Sequence, residues 1–241
     1  MLNLLLTRHG LVEPDDVMLG AHLDLPLAPE GRRQARALAR RLAGLPLDRI
    51  VASPMRRALE TARTVAAGRP VETDRRLVEI DYGAWEGLTY AQMEARDPAL
   101  RDAWEQDPAA VRPPGGETAA EVAARCRSFL DDQLAWAEQS AGPDGPPCLL
   151  VAAHGSLNRI LLCVALGVPP TDYRRRFTQD RANLTILRYG RDATADRARL
   201  ILLNDVGHLR RPGEPRWSRT MAMLQASSTH DDWHPDPSGH E

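Results

Sequence analysis

The stretch CLLVAAHGSLNRILLCVALG, residues 148–167, decides the fold because two kinds of hydrophobic pattern meet within it. Its first part, 148–153, is apolar on both alternating faces, which is typical of a strand that is covered on both sides. After His154, apolar residues recur at helical spacing until Gly167, which two prolines soon follow. The stretch therefore predicts a buried strand that leads directly into a helix.

Two further apolar runs precede helical patterns in the same way. LNLLL (2–6) comes before an amphipathic pattern over 29–44, and RIVA (49–52) comes before another over 53–67. Ser53 is the expected N-cap of the latter helix. Strands that alternate with helices predict an α/β fold, here a three-layer sandwich in which a mostly parallel central sheet has helices on both faces.

The other segments of the chain are assigned relative to these three strand-helix pairs. Two apolar runs, 184–189 and 199–204, are separated by a polar segment and predict a hairpin at the edge of the sheet. Residues 86–140 have a helical pattern and are expected to form an insertion over the end of the sheet at which ligands bind in such folds. We expect a single domain over 1–211 and an extended tail, rich in Pro, Ser and His, over 212–241.

The composition argues against several classes of protein. The 241-residue chain has a formal net charge of -2 and a sequence pI of about 6.4, so nothing in its global charge attracts nucleic acid or an anionic membrane. The sequence shows neither a membrane span nor the basic region of a signal peptide. Its three cysteines are odd in number and lack metal-ligand spacing, which favours free thiols. We therefore expect a cytoplasmic protein.

Side chains that suit phosphate chemistry follow each of the three predicted strands. Arg8 and His9 follow the first strand, Arg56 and Arg57 follow the second, and His154 follows the third. Because ligands of open α/β sheets bind outside the carboxyl ends of the strands, we expect these side chains to converge on one crevice. Arginine forks bind phosphate oxygens, and a neutral imidazole attacks phosphorus when cationic donors hold the charge. The sequence therefore predicts a phosphate site at this crevice.

Five segments form a pattern that extends over most of residues 1–205. They are TRHG (7–10), LDLPLAPEGRRQA (23–35), SPMRRALETA (53–62), VEIDYGAWEG (78–87) and AHGSLNR (153–159). In composition and in order they resemble the motifs of the histidine phosphatase superfamily, in the branch that includes cofactor-dependent phosphoglycerate mutases and many small phosphatases. The resemblance implies a phosphoglycerate mutase-like fold.

The resemblance also implies roles for individual residues. It makes His9 the nucleophile that accepts the phosphoryl group and Glu79 the proton donor. Arg8, Arg57 and His154 would form the pocket that binds the phosphate. Such chemistry needs a neutral His9 and a protonated Glu79 at the first step, and it uses no metal and no cofactor. An ion pair between Glu79 and an arginine stays open as a structural alternative.

Two more residues are predicted to bind substrate. Gly155 opens the helix after the third strand, and His22 lies in the loop after the nucleophile, where the family often has an arginine or another polar residue. Glu86 is expected to be structural, and His208 is expected to be structural or to lie at the rim. Asp15 stands where many members have an asparagine that helps to hold phosphate, and an aspartate there repels phosphate unless it turns away.

Three functions follow from these residues. The first is a metal-independent phosphomonoesterase that hydrolyses a small-molecule phosphate ester through a phosphohistidine intermediate. The second, a phosphoglycerate mutase, is disfavoured because the chain lacks the Trp-Asn pair that the mutases carry after the RHG motif and has only a short proline-rich segment, RPPGGET (112–118). The third, a non-catalytic module that binds a phospho-ligand, is disfavoured by the presence of both His9 and Glu79.

The substrate stays open at this point. The short proline-rich segment is similar to that of phosphatase members, including α-ribazole phosphatases and broad-specificity phosphatases. A small-molecule phosphate ester is the expected partner, without nucleic acid or membrane, and the oligomeric state is open, with a homodimer as one alternative. Trp85, Tyr90 and Trp104 are candidate walls of the substrate pocket and equally candidate core residues.

Overall fold

The computed structural model describes residues 1–142, 145–191 and 193–210, and the predicted tail over 212–241 lies outside these residues. The strands are β1 (Leu2–Arg8), β2 (Arg49–Ala52), β3 (Glu72–Thr73), β4 (Cys148–Ala153), β5 (Leu184–Tyr189) and β6 (Arg199–Asp205). The helices are α1 (Pro29–Arg41), α2 (Arg56–Ala66), α3 (Tyr90–Arg96), α4 (Pro98–Gln106), α5 (Ala119–Gln139), α6 (Gly155–Leu166) and α7 (Tyr173–Arg176).

The strands form one mixed sheet in the order β3-β2-β4-β1-β5-β6. β1 and β2 both pair with β4 in parallel, and β3 extends the parallel part beyond β2. β5 pairs with β1 in antiparallel, and β6 pairs with β5 in antiparallel at the edge. These pairings confirm the mostly parallel α/β sheet and the edge hairpin that the sequence predicts.

Side chains of the central strands alternate between two hydrophobic clusters, one on each face of the sheet. In β4, Leu149 and Val151 belong to the cluster that includes α5 and α6. Leu150 and Ala152 belong to the cluster that includes α1 and α2. This burial on both faces explains why the central strands form continuous apolar runs in the sequence, and it confirms the three layers.

The second predicted helix begins later than the sequence suggests. α2 begins at Arg56, and its N-cap is Met55, which makes no side-chain capping bond. Oγ of the buried Ser53 instead lies 2.8 Å from Nε2 of His154. The prediction that Ser53 is the N-cap is therefore wrong, because α2 begins only at Arg56; the Ser53 hydroxyl accepts from the Met55 N–H over 3.3 Å, ahead of the helix, as well as contacting His154.

Residues 86–140 contain α3, α4 and α5, as their helical pattern predicts. α3 and α5 each begin with a capping box, at Thr89 and at Thr118. Trp85 and Trp104 are fully buried, with their rings in an edge-to-face arrangement 5.5 Å apart. Both tryptophans therefore belong to the hydrophobic core.

The three cysteines are free and buried, as expected: Cys126, Cys148 and Cys163. Burial raises the pKa of the Cys126 and Cys163 thiols to about 12, so both are protonated at neutral pH. Across the described ranges, no helix has the length and apolar character that crossing a membrane requires.

Candidate active site

Two histidines lie side by side at the carboxyl ends of β1 and β4. Arg8 pairs with Ala153 in the parallel register, so the next residues, His9 and His154, leave the sheet at the same level. The His9 N–H donates to the Ala153 carbonyl oxygen over 3.0 Å, and the two imidazole centroids are 5.3 Å apart. Arg57, in the first turn of α2, contacts His154. The structure thus brings together residues that are far apart in the sequence.

The His9 imidazole is buried and held in one tautomer. Its Nδ1 lies 2.7 Å from the Gly10 carbonyl oxygen, which only accepts, so Nδ1 carries the proton. Burial, followed by the charges of Arg8 and Arg57, lowers the pKa of His9 well below its ordinary value. The ring is therefore neutral at physiological pH, and Nε2 carries a free electron pair.

The Arg8 guanidinium is buried beneath the crevice and remains a cation. Its Nη1 donates to the Gln179 carbonyl oxygen over 3.0 Å, and its buried Nε has no hydrogen-bond partner among the described residues. Burial, followed by the charges of Arg181 and Arg159, lowers the pKa of Arg8 to about 10. A Cβ atom on Gly155 would lie 3.2 Å from Cζ of Arg8, so the absence of a side chain there lets α6 begin directly against the guanidinium.

Arg57 and His154 form a hydrogen-bonded pair. Arg57 Nε donates to His154 Nδ1 over 3.2 Å, so the imidazole proton lies on Nε2, which donates to Ser53 Oγ. Burial, followed by the charge of Arg57, lowers the pKa of His154 well below its ordinary value and keeps this ring neutral too. Arg57 is fully buried, whereas the neighbouring Arg56 is exposed. Arg57 is thus the arginine that faces the crevice.

Glu79 presents its carboxyl group to the first turn of α6. The Leu157 N–H donates to Oε1 over 2.8 Å, and the Ser156 N–H donates to Oε2 over 3.1 Å. The Ile80 N–H also donates to Oε1, over 3.0 Å. Within the part of the chain that the structure describes, no arginine lies within ion-pair distance of this carboxyl group. Backbone donors hold Glu79, which disfavours the alternative of a simple ion pair.

Arg125 of α5 fixes the backbone that carries Glu79. Its Nη1 donates to the carbonyl oxygens of Arg76 and Val78 over 2.6 and 2.7 Å, and its Nη2 donates to that of Glu79 over 3.3 Å. Glu117 pairs with the same guanidinium at 3.0 Å. One partly buried cation therefore ties the segment that carries Glu79 to α5 at three carbonyl groups.

His22 lies at the exposed rim of the crevice. Its Nε2 is 3.0 Å from Oδ2 of Asp81, and this hydrogen bond raises the pKa of His22 above its ordinary value. The Glu86 carboxylate accepts from the backbone N–H groups of His22 and Leu23. Three side chains here each offer one metal-ligand atom, and these atoms all lie within 4.8 Å of one another: His22, Asp81 and Glu86. The three residues could therefore hold a metal ion.

Two uncertain positions from the sequence, Asp15 and His208, have partners other than the His9 side chain. Asp15 pairs with Arg181 at 2.8 Å, so its carboxylate turns toward a cation. His208 Nε2 lies 2.8 Å from the Ala182 carbonyl oxygen and thus backs the loop behind β1. Neither contact opposes the binding of an anion near His9.

Sequence reasoning missed several residues that build the crevice. Asn183 Oδ1 accepts from the Arg8 N–H over 3.0 Å, and Gln179 supplies the carbonyl that holds the Arg8 guanidinium. Thr61 Oγ1 accepts from the Gly10 N–H over 3.1 Å. The partners are separated by 51 to 175 residues along the chain, so no local pattern could have revealed them.

Comparison with known proteins identifies the family of this chain. The model of the histidine phosphatase superfamily (branch 1) matches residues 4–205, so the chain belongs to that superfamily. It is similar to glucosyl-3-phosphoglycerate phosphatase of Mycobacterium tuberculosis, with 37% identity over 175 residues, which cover 70% of this chain and 78% of that protein. Phosphoserine phosphatase 1 of Hydrogenobacter thermophilus is 31% identical over 173 residues, which cover 70% of this chain and 78% of that protein.

A solved structure has the same fold. A mycobacterial glucosyl-3-phosphoglycerate phosphatase in complex with VO3 aligns with a TM-score of 0.76 and 32% sequence identity, covering 84% of this chain and 98% of that one. Membership confirms the family resemblance, the fold class and the assignment to the phosphatases that the sequence predicts.

Proposed function

We propose that this chain is a metal-independent phosphomonoesterase in which His9 is the nucleophile. The observation that carries the proposal is the state of the His9 ring: Nδ1 is fixed on the Gly10 carbonyl, which leaves the Nε2 electron pair free. Arg8 and Arg57 supply positive charge near this ring. A neutral nucleophile near two cations suits attack on the phosphorus atom of a dianionic ester.

In the first step, the electron pair of His9 Nε2 attacks phosphorus while the bond to the leaving oxygen breaks. Glu79 gives its proton to that oxygen, so the product leaves as an alcohol. Arg8 and Arg57 bind the phosphoryl oxygens, and His154 orients Arg57 by accepting a hydrogen bond from its Nε. The result is a phosphohistidine and an ionised Glu79.

In the second step, water hydrolyses this intermediate. The Glu79 carboxylate takes a proton from the water molecule, whose oxygen attacks phosphorus as the bond to His9 Nε2 breaks. Inorganic phosphate leaves, and both residues return to their starting protonation states. Every proton in this cycle is carried by a side chain, a water molecule or the substrate.

The names of two relatives support a substrate that carries a negative group beyond its phosphate. Two relatives are named for glucosyl-3-phosphoglycerate and phosphoserine, and both of these esters contain a carboxylate. We infer that the substrate is a phosphorylated small molecule with a carboxylate, and that His22 and Gly155 border its site.

The substrate class is tested with matched pairs of esters. Purified protein is given phosphoserine or phosphoethanolamine, and 3-phosphoglycerate or glycerol 3-phosphate, and released phosphate is measured. We expect kcat/KM to be at least about tenfold higher for the carboxylated member of each pair, as one charge-assisted contact would supply. Equal values would remove the carboxylate from the proposal.

The reaction itself is tested with p-nitrophenyl phosphate in excess chelator. We expect hydrolysis to persist, because attack and charge stabilisation are assigned to side chains. Loss of activity that a divalent metal ion restores would contradict the metal-independent reaction.

The placement of residues 86–140 over this site and the cytoplasmic location stay predictions from the sequence.

A further inference from the structure

A short stretch of backbone lies between Arg57 and the outer rim of the crevice. We name residues 20–23 the rim loop. Arg57 Nη1 donates to the Leu23 carbonyl oxygen over 2.7 Å, and Nη2 donates to the Gly20 carbonyl oxygen over 3.1 Å. With Nε on His154, each guanidinium nitrogen has one protein acceptor. A guanidinium has five N–H groups, so one on each Nη stays available to a phosphate.

Glu86 accepts hydrogen bonds from the backbone N–H groups of the rim loop. Its Oε2 accepts from the N–H groups of His22 and Leu23, each over 3.0 Å. A Cβ atom on Gly20 would lie 2.1 Å from Oε1 of Glu86, so a side chain at this position would displace the Glu86 carboxylate. The rim loop is therefore clamped by a cation through its carbonyls and by an anion through its N–H groups.

We propose that Glu86 is a positioning residue for Arg57. By holding the N–H groups of the rim loop, it keeps the carbonyl oxygens of Gly20 and Leu23 where they fix the orientation of the guanidinium fork. This inference rests on the proposed function, because it treats Arg57 as a ligand of the phosphoryl group. Without Glu86 the rim loop loses two charge-assisted hydrogen bonds. The carbonyl oxygens of Gly20 and Leu23 then no longer fix the orientation of the Arg57 guanidinium and of its two available N–H groups.

A double-mutant cycle tests whether Glu86 acts through Arg57. Equilibrium binding of vanadate, a mimic of the phosphoryl group in transfer, is measured for the wild type, Glu86→Ala, Arg57→Ala and the double variant. We expect Glu86→Ala to weaken binding about 10- to 100-fold in the wild-type background, the range of a lost charge-assisted hydrogen bond. In the Arg57→Ala background we expect a change of less than about twofold.

Two variants separate positioning from folding. Glu86→Gln keeps an acceptor oxygen of the same reach, so we expect a smaller loss of vanadate affinity than in Glu86→Ala. Glu60→Gln is the matched control, because Glu60 Oε2 accepts from the Leu27 N–H, in the same connection but outside the rim loop. We expect it to bind vanadate within about twofold of the wild type, and thermal melting checks that all variants fold.

The outcomes are distinct from those that bear on the proposed function. If Glu86→Ala weakens vanadate binding by the same factor with and without Arg57, the residue does not act through Arg57 and the inference is overturned. If Glu86→Gln folds and Glu86→Ala does not, the same cycle is run with glutamine. Activity that survives in His9→Ala would overturn the proposed function, whereas vanadate binding reports on the pocket alone.

Discussion

Replacing Glu79 with glutamine keeps the shape of the side chain and changes its chemistry. In the native structure Oε1 accepts from the N–H groups of Ile80 and Leu157, and Oε2 accepts from that of Ser156. Glutamine has one acceptor oxygen, so its NH2 group must face at least one of these donors. An unsatisfied buried donor costs about 1–3 kcal/mol, so we expect the melting temperature to fall by roughly 2–12 °C.

The effect of this variant on activity depends on the leaving group. An alkyl ester releases an alkoxide that needs a proton, whereas p-nitrophenolate leaves without one. General acid catalysis contributes about 10²–10⁴-fold, so we expect kcat/KM of Glu79→Gln to fall by about that factor for an alkyl ester such as phosphoserine. For p-nitrophenyl phosphate we expect kcat/KM to fall by about tenfold or less, because kcat/KM reports the first step, in which p-nitrophenolate leaves without a proton.

Both esters are assayed on the same preparation below its melting temperature, so that the ratio of the two losses does not depend on the folded fraction. Glu121→Gln is the control, because Glu121 also accepts a backbone N–H at a helix N-terminus, that of Thr118, but caps α5. We expect it to leave the ratio unchanged. Equal losses for both esters in Glu79→Gln would refute the general-acid role.

Three further variants or conditions have definite outcomes. Arg57→Ala should lower kcat/KM at least about 100-fold and Arg56→Ala less than about threefold, because only Arg57 is a buried cation of the crevice. Steady-state kinetics measures both values, and similar losses in the two variants would contradict this. Gly155→Ala should raise the inhibition constant of vanadate about 3- to 10-fold, because its Cβ must displace Arg8, and an unchanged constant would sink that reasoning. The pKa of His9 is lowered in the folded state, so the unfolded chain binds more protons below about pH 6.5, and stability should fall as pH drops from 7 to 5. Denaturation at several pH values checks this, and His9→Gln should show a shallower dependence.

The sequence predicted the centre of the fold because the relevant forces act locally there. β1 and β4 are buried on both faces, so their hydrophobic runs are continuous and recognisable. α6 ends at Leu166, and the next residue, Gly167, adopts the left-handed conformation that a helix C-terminus favours. β3 escaped prediction because it has two residues, Glu72 and Thr73, both exposed, which leave no hydrophobic pattern.

The sequence predicted the residues of the candidate site better than it predicted the residues that hold them in place. His9 and His154 follow apolar runs, and parallel pairing then brings them together. Ser53 was misassigned because α2 begins only at Arg56; the Ser53 hydroxyl accepts from the Met55 N–H ahead of the helix and contacts His154, which is distant in sequence. The supports supplied by Arg125 and Glu86 consist of contacts to backbone atoms, which carry no sequence signal of their own.

The most direct test of the central claim is to trap the phosphoryl group on the chain. Enzyme is mixed with a phosphate ester labelled on phosphorus, quenched in alkaline denaturant within a fraction of a turnover, and digested to map the label. We expect a label on the peptide that contains His9, stable to alkali, lost in acid and absent from His9→Ala. A label on another residue, or an equal label in His9→Ala, would contradict it.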